Sequence, residues 1–156
     1  MGETVDTAKV VIQPPIAWAL AIIAGLGVGW LYPLQFVPAP IPCALAGSGV
    51  FAVGFALAIW AIVMIRRAGT RIETNKPTTA IVANGPYRLT RNPIYIGMFP
   101  GQTGLAIGFD NLWLLAMLVP FYFVIRYGVI AREETYLDRK FGAAYRGYRS
   151  QVPRWL

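Results

Sequence analysis

Four long apolar stretches are the feature of this 156-residue chain that most constrains its fold. A helix needs ~20 apolar residues to cross a bilayer, within a range of about 17–25. The four stretches are 15–32, 41–65, 93–109 and 111–131. The third barely meets this length, and the other three meet it fully. We expect no cleavable signal peptide, because acidic residues precede the first stretch and no small-residue cleavage site follows it. The pattern predicts an all-α integral membrane protein: a single domain over 1–156 with about four transmembrane helices and a cytoplasmic helical tail at its C-terminus.

The positions of the basic residues predict an orientation. All 14 Lys and Arg lie before the first stretch, between the second and third, or at and after the end of the fourth. Cytoplasmic loops of membrane proteins carry such an excess of Lys and Arg. We therefore expect a multi-pass protein with both termini and any chemistry on the cytoplasmic side, by default of a bacterial-type inner membrane. Topology and contact with anionic lipids explain the net charge of +7, so we expect membrane lipids and not nucleic acid as partners.

The composition also excludes several kinds of active site. The chain has no His and a single Cys, Cys43. It therefore has no Ser-His-Asp triad, no Cys-His pair and no His-ligated zinc site, and we expect no metal. Cys43 cannot form a disulfide within the chain.

The start of the third stretch has features of an anion site. Asn92 is the predicted N-cap of a helix that begins at Pro93. Its first backbone N–H groups and positive dipole end would attract an anion, and Arg91 is adjacent. An ordinary helix start explains the same residues equally well. Within the stretch, Gly97 and Gly101 have the four-residue spacing of small residues at a helix contact, and close packing is a commoner reason for this than a ligand.

The fourth stretch has no strong helix breaker before Gly142, so we expect its helix to continue beyond the bilayer. In a regular α-helix Arg126 and Glu133 would share one face. Arg126 either extends to the lipid headgroups or pairs with Glu133 or with a bound carboxylate. The basic and aromatic tail is typical of an interfacial amphipathic helix. Glu133 and Glu134 do not suit an anionic membrane surface, so we expect a cationic partner for them.

Two segments resemble the signatures of a known family of membrane enzymes. Residues 84–97 read NGPYRLTRNPIYIG, which resembles the R-[HN]-P-x-Y-x-G signature of isoprenylcysteine carboxyl methyltransferases and phospholipid N-methyltransferases. The motifs EExxL, FGxxYxxY and VPR between residues 133 and 154 resemble the C-terminal signature of the same superfamily. The resemblance covers about 84–156, near half of the chain.

This resemblance implies a methyltransferase that uses S-adenosyl-L-methionine, bound within 84–156 at the cytoplasmic face. The methyl acceptor would be lipidic or membrane-embedded, either a phospholipid amine or a prenylcysteine-like carboxylate. Glu133 and Glu134 would suit the positive groups of the donor. The start of the third helix, together with Arg91, would bind the donor's carboxylate. The tyrosines would contact its adenine or its sulfonium. The candidate catalytic residues are Glu133, Arg126 and Tyr95. The candidate cofactor-binding residues are Tyr87, Arg91, Asn92, Pro93, Tyr95, Gly97, Glu133, Glu134, Tyr145, Tyr148 and Arg154.

The acceptor and two other functions remain open at this stage. Asn92 stands where the prenylcysteine branch typically has His. In this respect the chain is closer to the phospholipid branch. Four spans are fewer than in most relatives, so the acceptor pocket is either open or completed by a second copy in a homo-oligomer. One alternative is an NADPH-dependent sterol reductase, whose tail is similar but which has many more spans. The other is a non-enzymatic membrane scaffold.

Overall fold

The computed structural model describes residues 6–71 and 76–156, and within them it contains helices and no strands. This confirms the predicted all-α class. The main helices are α1 (Pro14–Leu31), α2 (Cys43–Arg67), α3 (Pro93–Gly108), α4 (Leu112–Phe141) and α5 (Ala143–Gln151). A short 3-10 helix, Gly85–Arg88, precedes α3. Residues 72–75, within the predicted polar connection after α2, lie outside the described part of the chain.

Three of these helices, α1, α2 and α4, are long and apolar enough to cross a membrane. Their positions agree closely with the predicted stretches, and α4 continues ten residues beyond the predicted end at 131. α3 has only 16 residues. The count of four spans and the cytoplasmic position of the tail therefore stay predictions.

Close contact between glycines packs α2 against α3. A Cβ atom on Gly54 would lie 2.4 Å from the carbonyl oxygen of Gly97, and one on Gly47 would lie 2.4 Å from the backbone nitrogen of Gly108. These pairs make the two helices antiparallel, so that α3 begins beside the C-terminal half of α2. The glycines of α3 therefore serve helix packing, as small residues commonly do in membranes.

The long helix α4 departs from regular α geometry at a π-helical segment, Val124–Ile130. A π turn contains more residues than an α turn, so it rotates the side chains before it relative to those after it. The shared face predicted for Arg126 and Glu133 is not maintained. The Arg126 guanidinium lies 5.5 Å from the centroid of the Tyr127 ring and forms no ion pair with Glu133.

The described part of the N-terminal arm, residues 6–13, runs along α4. The backbone N–H of Val11 donates to the carbonyl of Gly128 in the π segment at 3.0 Å. Further along α4, Arg132 Nη1 donates to the carbonyl of Lys9 at 2.9 Å, and the Tyr136 hydroxyl donates to the carbonyl of Asp6 at 3.1 Å. These bonds hold the arm beside the pocket described next.

Candidate functional site

A pocket lies where the start of α3, the C-terminal part of α4, α5 and the connection between α2 and α3 come together. Nine of the sequence-predicted residues line it: Tyr87, Arg91, Asn92, Pro93, Tyr95, Glu133, Glu134, Tyr145 and Tyr148. Arg154 lies behind this lining, where it pairs with Glu134, and Gly97 packs against α2. Arg126 is not among the lining residues. The fold thus brings together residues that are far apart in the chain, such as Tyr87 and Tyr148, which are 61 positions apart.

The segment before α3 is fastened to the C-terminal residues of the chain. Asn92 precedes the helix as predicted, but its side chain does not cap it. Its Nδ2 instead donates to the carbonyl of Arg154 at 2.9 Å, and the Thr90 hydroxyl donates to the same oxygen at 2.9 Å. The backbone N–H of Arg91 donates to the carbonyl of Pro153 at 3.0 Å. Asn92 is therefore the N-cap residue of α3, as predicted, but a tertiary acceptor takes its amide, so its side chain leaves the first N–H groups of α3 uncapped.

The carboxylate of Glu134 is neutralised by two arginines. Its Oε1 lies 2.8 Å from Arg91 Nη1, and Arg154 donates to both carboxylate oxygens, from Nε at 2.9 Å and from Nη2 at 2.5 Å. Glu134 is 8% exposed. The bonds to Glu134 raise the pKa of Arg154 above its ordinary value. Because both oxygens of Glu134 are bonded, this side chain joins α4 to the start of α3 and to the C-terminus.

The neighbouring carboxylate, Glu133, has no cationic partner. Both of its oxygens accept a hydrogen bond from the Tyr95 hydroxyl, at 2.9 and 3.0 Å. No Lys or Arg of the described chain lies within ion-pair distance of it. A carboxylate can accept further bonds at its remaining lone pairs. Glu133 therefore offers the pocket a carboxylate that no cation of the described chain compensates, and its role as a cation-binding residue stays a prediction.

Tyrosine rings form a second wall of the pocket. The Tyr148 hydroxyl donates to the carbonyl of Tyr87 at 2.7 Å, and the Tyr145 hydroxyl accepts from Arg91 Nη1 at 3.2 Å. Burial raises the pKa of Tyr148 to about 12 and also raises those of Tyr87 and Tyr145. All three phenols are therefore neutral near pH 7. Tyr145 is buried, and both rings contact the protein through their hydroxyl groups. The interfacial role predicted for the tail stays a prediction.

Sequence reasoning missed the side of the pocket formed by the N-terminal arm and by residues 76–82. Tyr136 joins them, because its hydroxyl accepts from the backbone N–H of Thr78 at 3.2 Å while it donates to Asp6. Lys140 completes the junction by donating to Tyr136 at 3.0 Å and pairing with the Asp6 carboxylate. The position of Tyr136 three residues after Glu133 is a usable signal, because such residues share a helix face. The arm and the connection have no local signal of this kind.

Arg91 has one feature that points to a ligand. Its Nε is buried and has no hydrogen-bond partner within the described chain. Buried polar groups are nearly always hydrogen-bonded, so an exception at a pocket lining needs an explanation. Together with the uncapped first turn of α3, it leaves donors for an anionic group among the residues that line the pocket.

Comparisons with known proteins cover much of the same part of the chain. The sequence model of the phospholipid methyltransferase family matches residues 43–144, about two thirds of the chain, and so includes α2 as well as the first motif and the two glutamates. An uncharacterised protein of Haemophilus influenzae is 48% identical over 52 residues, which are 33% of this chain and 79% of that protein. The nickel-cobalt-cadmium resistance protein NccN of Alcaligenes xylosoxydans xylosoxydans is 31% identical over 68 residues, or 44% of this chain, and the matched part spans only 32% of that relative. No solved structure matches the chain. With its apolar helices and this match, the chain belongs to the phospholipid methyltransferase family and is a membrane methyltransferase.

Proposed function

We propose that the pocket binds S-adenosylmethionine and that the enzyme methylates the amine of a membrane phospholipid at the cytoplasmic face. The observation that carries the proposal is the carboxylate of Glu133, which lines the pocket without a cationic partner. The family match supports methyl transfer over an NADPH-dependent reductase or a scaffold.

The residues present fit this donor. It carries a sulfonium cation, an ammonium group and a carboxylate. Glu133 would hold a positive group, and the rings of Tyr145 and Tyr148 offer aromatic faces for adenine. The first N–H groups of α3 and the unpartnered Nε of Arg91 would receive the carboxylate. When bound, the donor supplies an electrophilic methyl group on its sulfur.

The contribution of the chain to the reaction is positioning and electrostatics. Tyr95 holds the Glu133 carboxylate in one orientation, and the Arg91–Glu134–Arg154 cluster fixes α3 against α4. Correct alignment of two reactants can account for a large part of a catalytic effect, so a site without His is adequate for methyl transfer. Arg126 lies outside the pocket lining, and we assign it no part in the reaction.

The charge of the pocket favours an amine over a carboxylate as acceptor. The Glu133 carboxylate, which lies beside the site proposed for the donor's positive group, attracts an ammonium group, whereas it repels the carboxylate of a prenylcysteine. The ammonium must release a proton to solvent before its nitrogen attacks the methyl group, and the donor then leaves as the neutral thioether. Asn92 in place of His points to the same branch of the superfamily. An acceptor that remains in the cytoplasmic leaflet would meet the pocket at the level of the headgroups.

Titration of the detergent-purified protein by calorimetry tests the donor. We expect S-adenosylmethionine and S-adenosylhomocysteine to bind and NADPH not to bind. Only the first ligand carries a sulfonium, so Glu133→Gln is expected to weaken S-adenosylmethionine binding more than S-adenosylhomocysteine binding. Asp138→Asn, on an exposed part of α4, is the matched control and leaves both affinities unchanged. Equal affinities of Glu133→Gln and the parent for S-adenosylmethionine would refute the placement of the cation.

Transfer of a labelled methyl group tests the acceptor. Vesicles of phosphatidylethanolamine should accept the label, and vesicles of phosphatidylglycerol, which has no amine, should not. Donor binding without transfer to the amine lipid would leave the cofactor proposal standing and contradict the acceptor.

A further inference from the structure

The cations around the pocket differ in whether they are already paired. Arg91 is bonded to Glu134 and Tyr145, and Arg154 is bonded to Glu134. Arg71 also lines the pocket. It is exposed, and no residue of the described chain forms an ion pair or hydrogen bond with it. Among the described residues, the pocket therefore combines a carboxylate without a cationic partner, that of Glu133, with the unpaired guanidinium of Arg71.

The position of Arg71 relative to the membrane helices is also informative. It lies four residues after the end of α2, whose last turn carries Arg66 and Arg67. Basic residues at the end of a spanning helix lie at the level of the lipid headgroups. A side chain just beyond them is therefore placed to contact lipid phosphates while it also borders the pocket.

We infer that Arg71 binds the phosphate of the acceptor's headgroup and so selects a zwitterionic phospholipid amine. This inference rests on the proposed function. A phosphoethanolamine group carries a negative phosphate and a positive amine a few bonds apart, which matches the opposite charges of Arg71 and Glu133 in one pocket. Arginine suits a phosphate because its planar fork donates two parallel hydrogen bonds.

A neighbouring hydroxyl supports the same assignment. Thr70 lines the pocket next to Arg71, and its Oγ1 accepts a hydrogen bond from the backbone N–H of Thr79 at 2.9 Å. Because this oxygen is the acceptor of that bond, its own proton remains available to a phosphate oxygen. Prenylcysteine carries no phosphate, so it could not use these groups.

Binding of water-soluble headgroup probes to the purified full-length chain tests the inference without depending on turnover. The probes are glycerophosphoethanolamine, ethanolamine and inorganic phosphate, each titrated by ligand-observed magnetic resonance. We expect the parent to bind glycerophosphoethanolamine more tightly than either of the others. In Arg71→Gln the preference for glycerophosphoethanolamine over ethanolamine should fall about tenfold, which corresponds to loss of a charge-assisted hydrogen bond. Arg67→Gln, which removes the same charge outside the pocket lining, should keep the preference.

Three results would overturn the inference: retention of the preference in Arg71→Gln, no preference in the parent, or parent binding of inorganic phosphate as tight as that of glycerophosphoethanolamine. The last would indicate a general anion site instead of a headgroup site. S-adenosylhomocysteine is titrated into the same samples. Its binding should be equal in parent and Arg71→Gln, and failure of the parent to bind it would count against the donor proposal alone.

Discussion

The Tyr95 hydroxyl donates to both carboxylate oxygens of Glu133, and this bond joins the first turn of α3 to the C-terminal part of α4. The next residue, Glu134, points to a different set of partners and is saturated by Arg91 and Arg154. Two adjacent carboxylates on one helix thus have different environments. We therefore expect Glu133 to affect ligand binding and Glu134 to affect stability.

Tyr95→Phe is expected to weaken binding of S-adenosylmethionine about tenfold or more while the protein stays folded. The variant keeps the ring and removes the hydroxyl that orients Glu133, and a hydrogen bond to a charged group is worth about 1.5–3 kcal/mol. Calorimetric titration measures the change. Tyr127→Phe, an exposed ring outside the pocket lining, is the control. Unchanged affinity in Tyr95→Phe would show that the donor does not depend on this bond.

Glu134→Gln is expected to lower thermal stability substantially. The substitution leaves two guanidinium groups without their counterion, and removal of one partner of a buried ion pair costs roughly 3 kcal/mol or more. Tryptophan fluorescence during heating in detergent gives the apparent melting temperature. Asp138→Asn breaks the exposed pair with Arg146, which should contribute only about 0–1 kcal/mol. Equal melting temperatures of the two variants would contradict a structural role for Glu134.

Gly54→Ala is expected to destabilise the contact between α2 and α3. The added methyl group would lie 2.4 Å from the carbonyl oxygen of Gly97 and 2.6 Å from the backbone nitrogen of Gly101, so the helices must separate. Overpacking of this kind costs about 1–3 kcal/mol. Gly49→Ala on the same helix has no atom within 4 Å of its new methyl group and should be tolerated. The comparison uses the melting temperature, and a Gly54→Ala protein as stable as Gly49→Ala would contradict the close packing.

Tyr136→Phe is expected to loosen the contacts of α4 with the N-terminal arm and with residues 76–82. Its hydroxyl bonds to Asp6, Thr78 and Lys140, and the variant removes all three contacts. Trypsin should then cleave after Lys9 faster than in the parent, because proteolysis requires local opening of the chain. Thr135→Ala, which loses only a bond within α4, is the control. A cleavage rate equal to that of the parent would show that other contacts hold the arm.

Much of the helical framework could be predicted because it depends on local properties of the chain. The length of an apolar stretch is enough to indicate a helix that could cross a bilayer, and Asn92-Pro93 marked the start of α3 correctly. The four-residue spacing of Gly97 and Gly101 indicated helix packing, which the structure shows. Nine of the candidate residues in the two family-like motifs likewise line the pocket.

The partners of the polar side chains could not be predicted in the same way. The Asn92 amide bonds to the carbonyl of Arg154, 62 positions away, instead of capping its own helix. The sequence provides no means of anticipating the π segment Val124–Ile130, and this segment removes Arg126 from the face assumed for it. Arg71 carries no motif, and its place at the pocket depends on how the connection after α2 folds back.

The sequence by itself determined the apolar helices, the start of α3, the packing role of its glycines and the family, because each follows from residue type and short spacing. Only the tertiary structure decided that Glu134 is neutralised while Glu133 has no cationic partner in the described chain, and that the N-terminal arm borders the pocket. The physical reason is that a charge acts according to its nearest partners in space. For Glu134 these partners are Arg91, 43 positions before it, and Arg154, 20 positions after it, and no local pattern specifies which of two adjacent carboxylates they will reach.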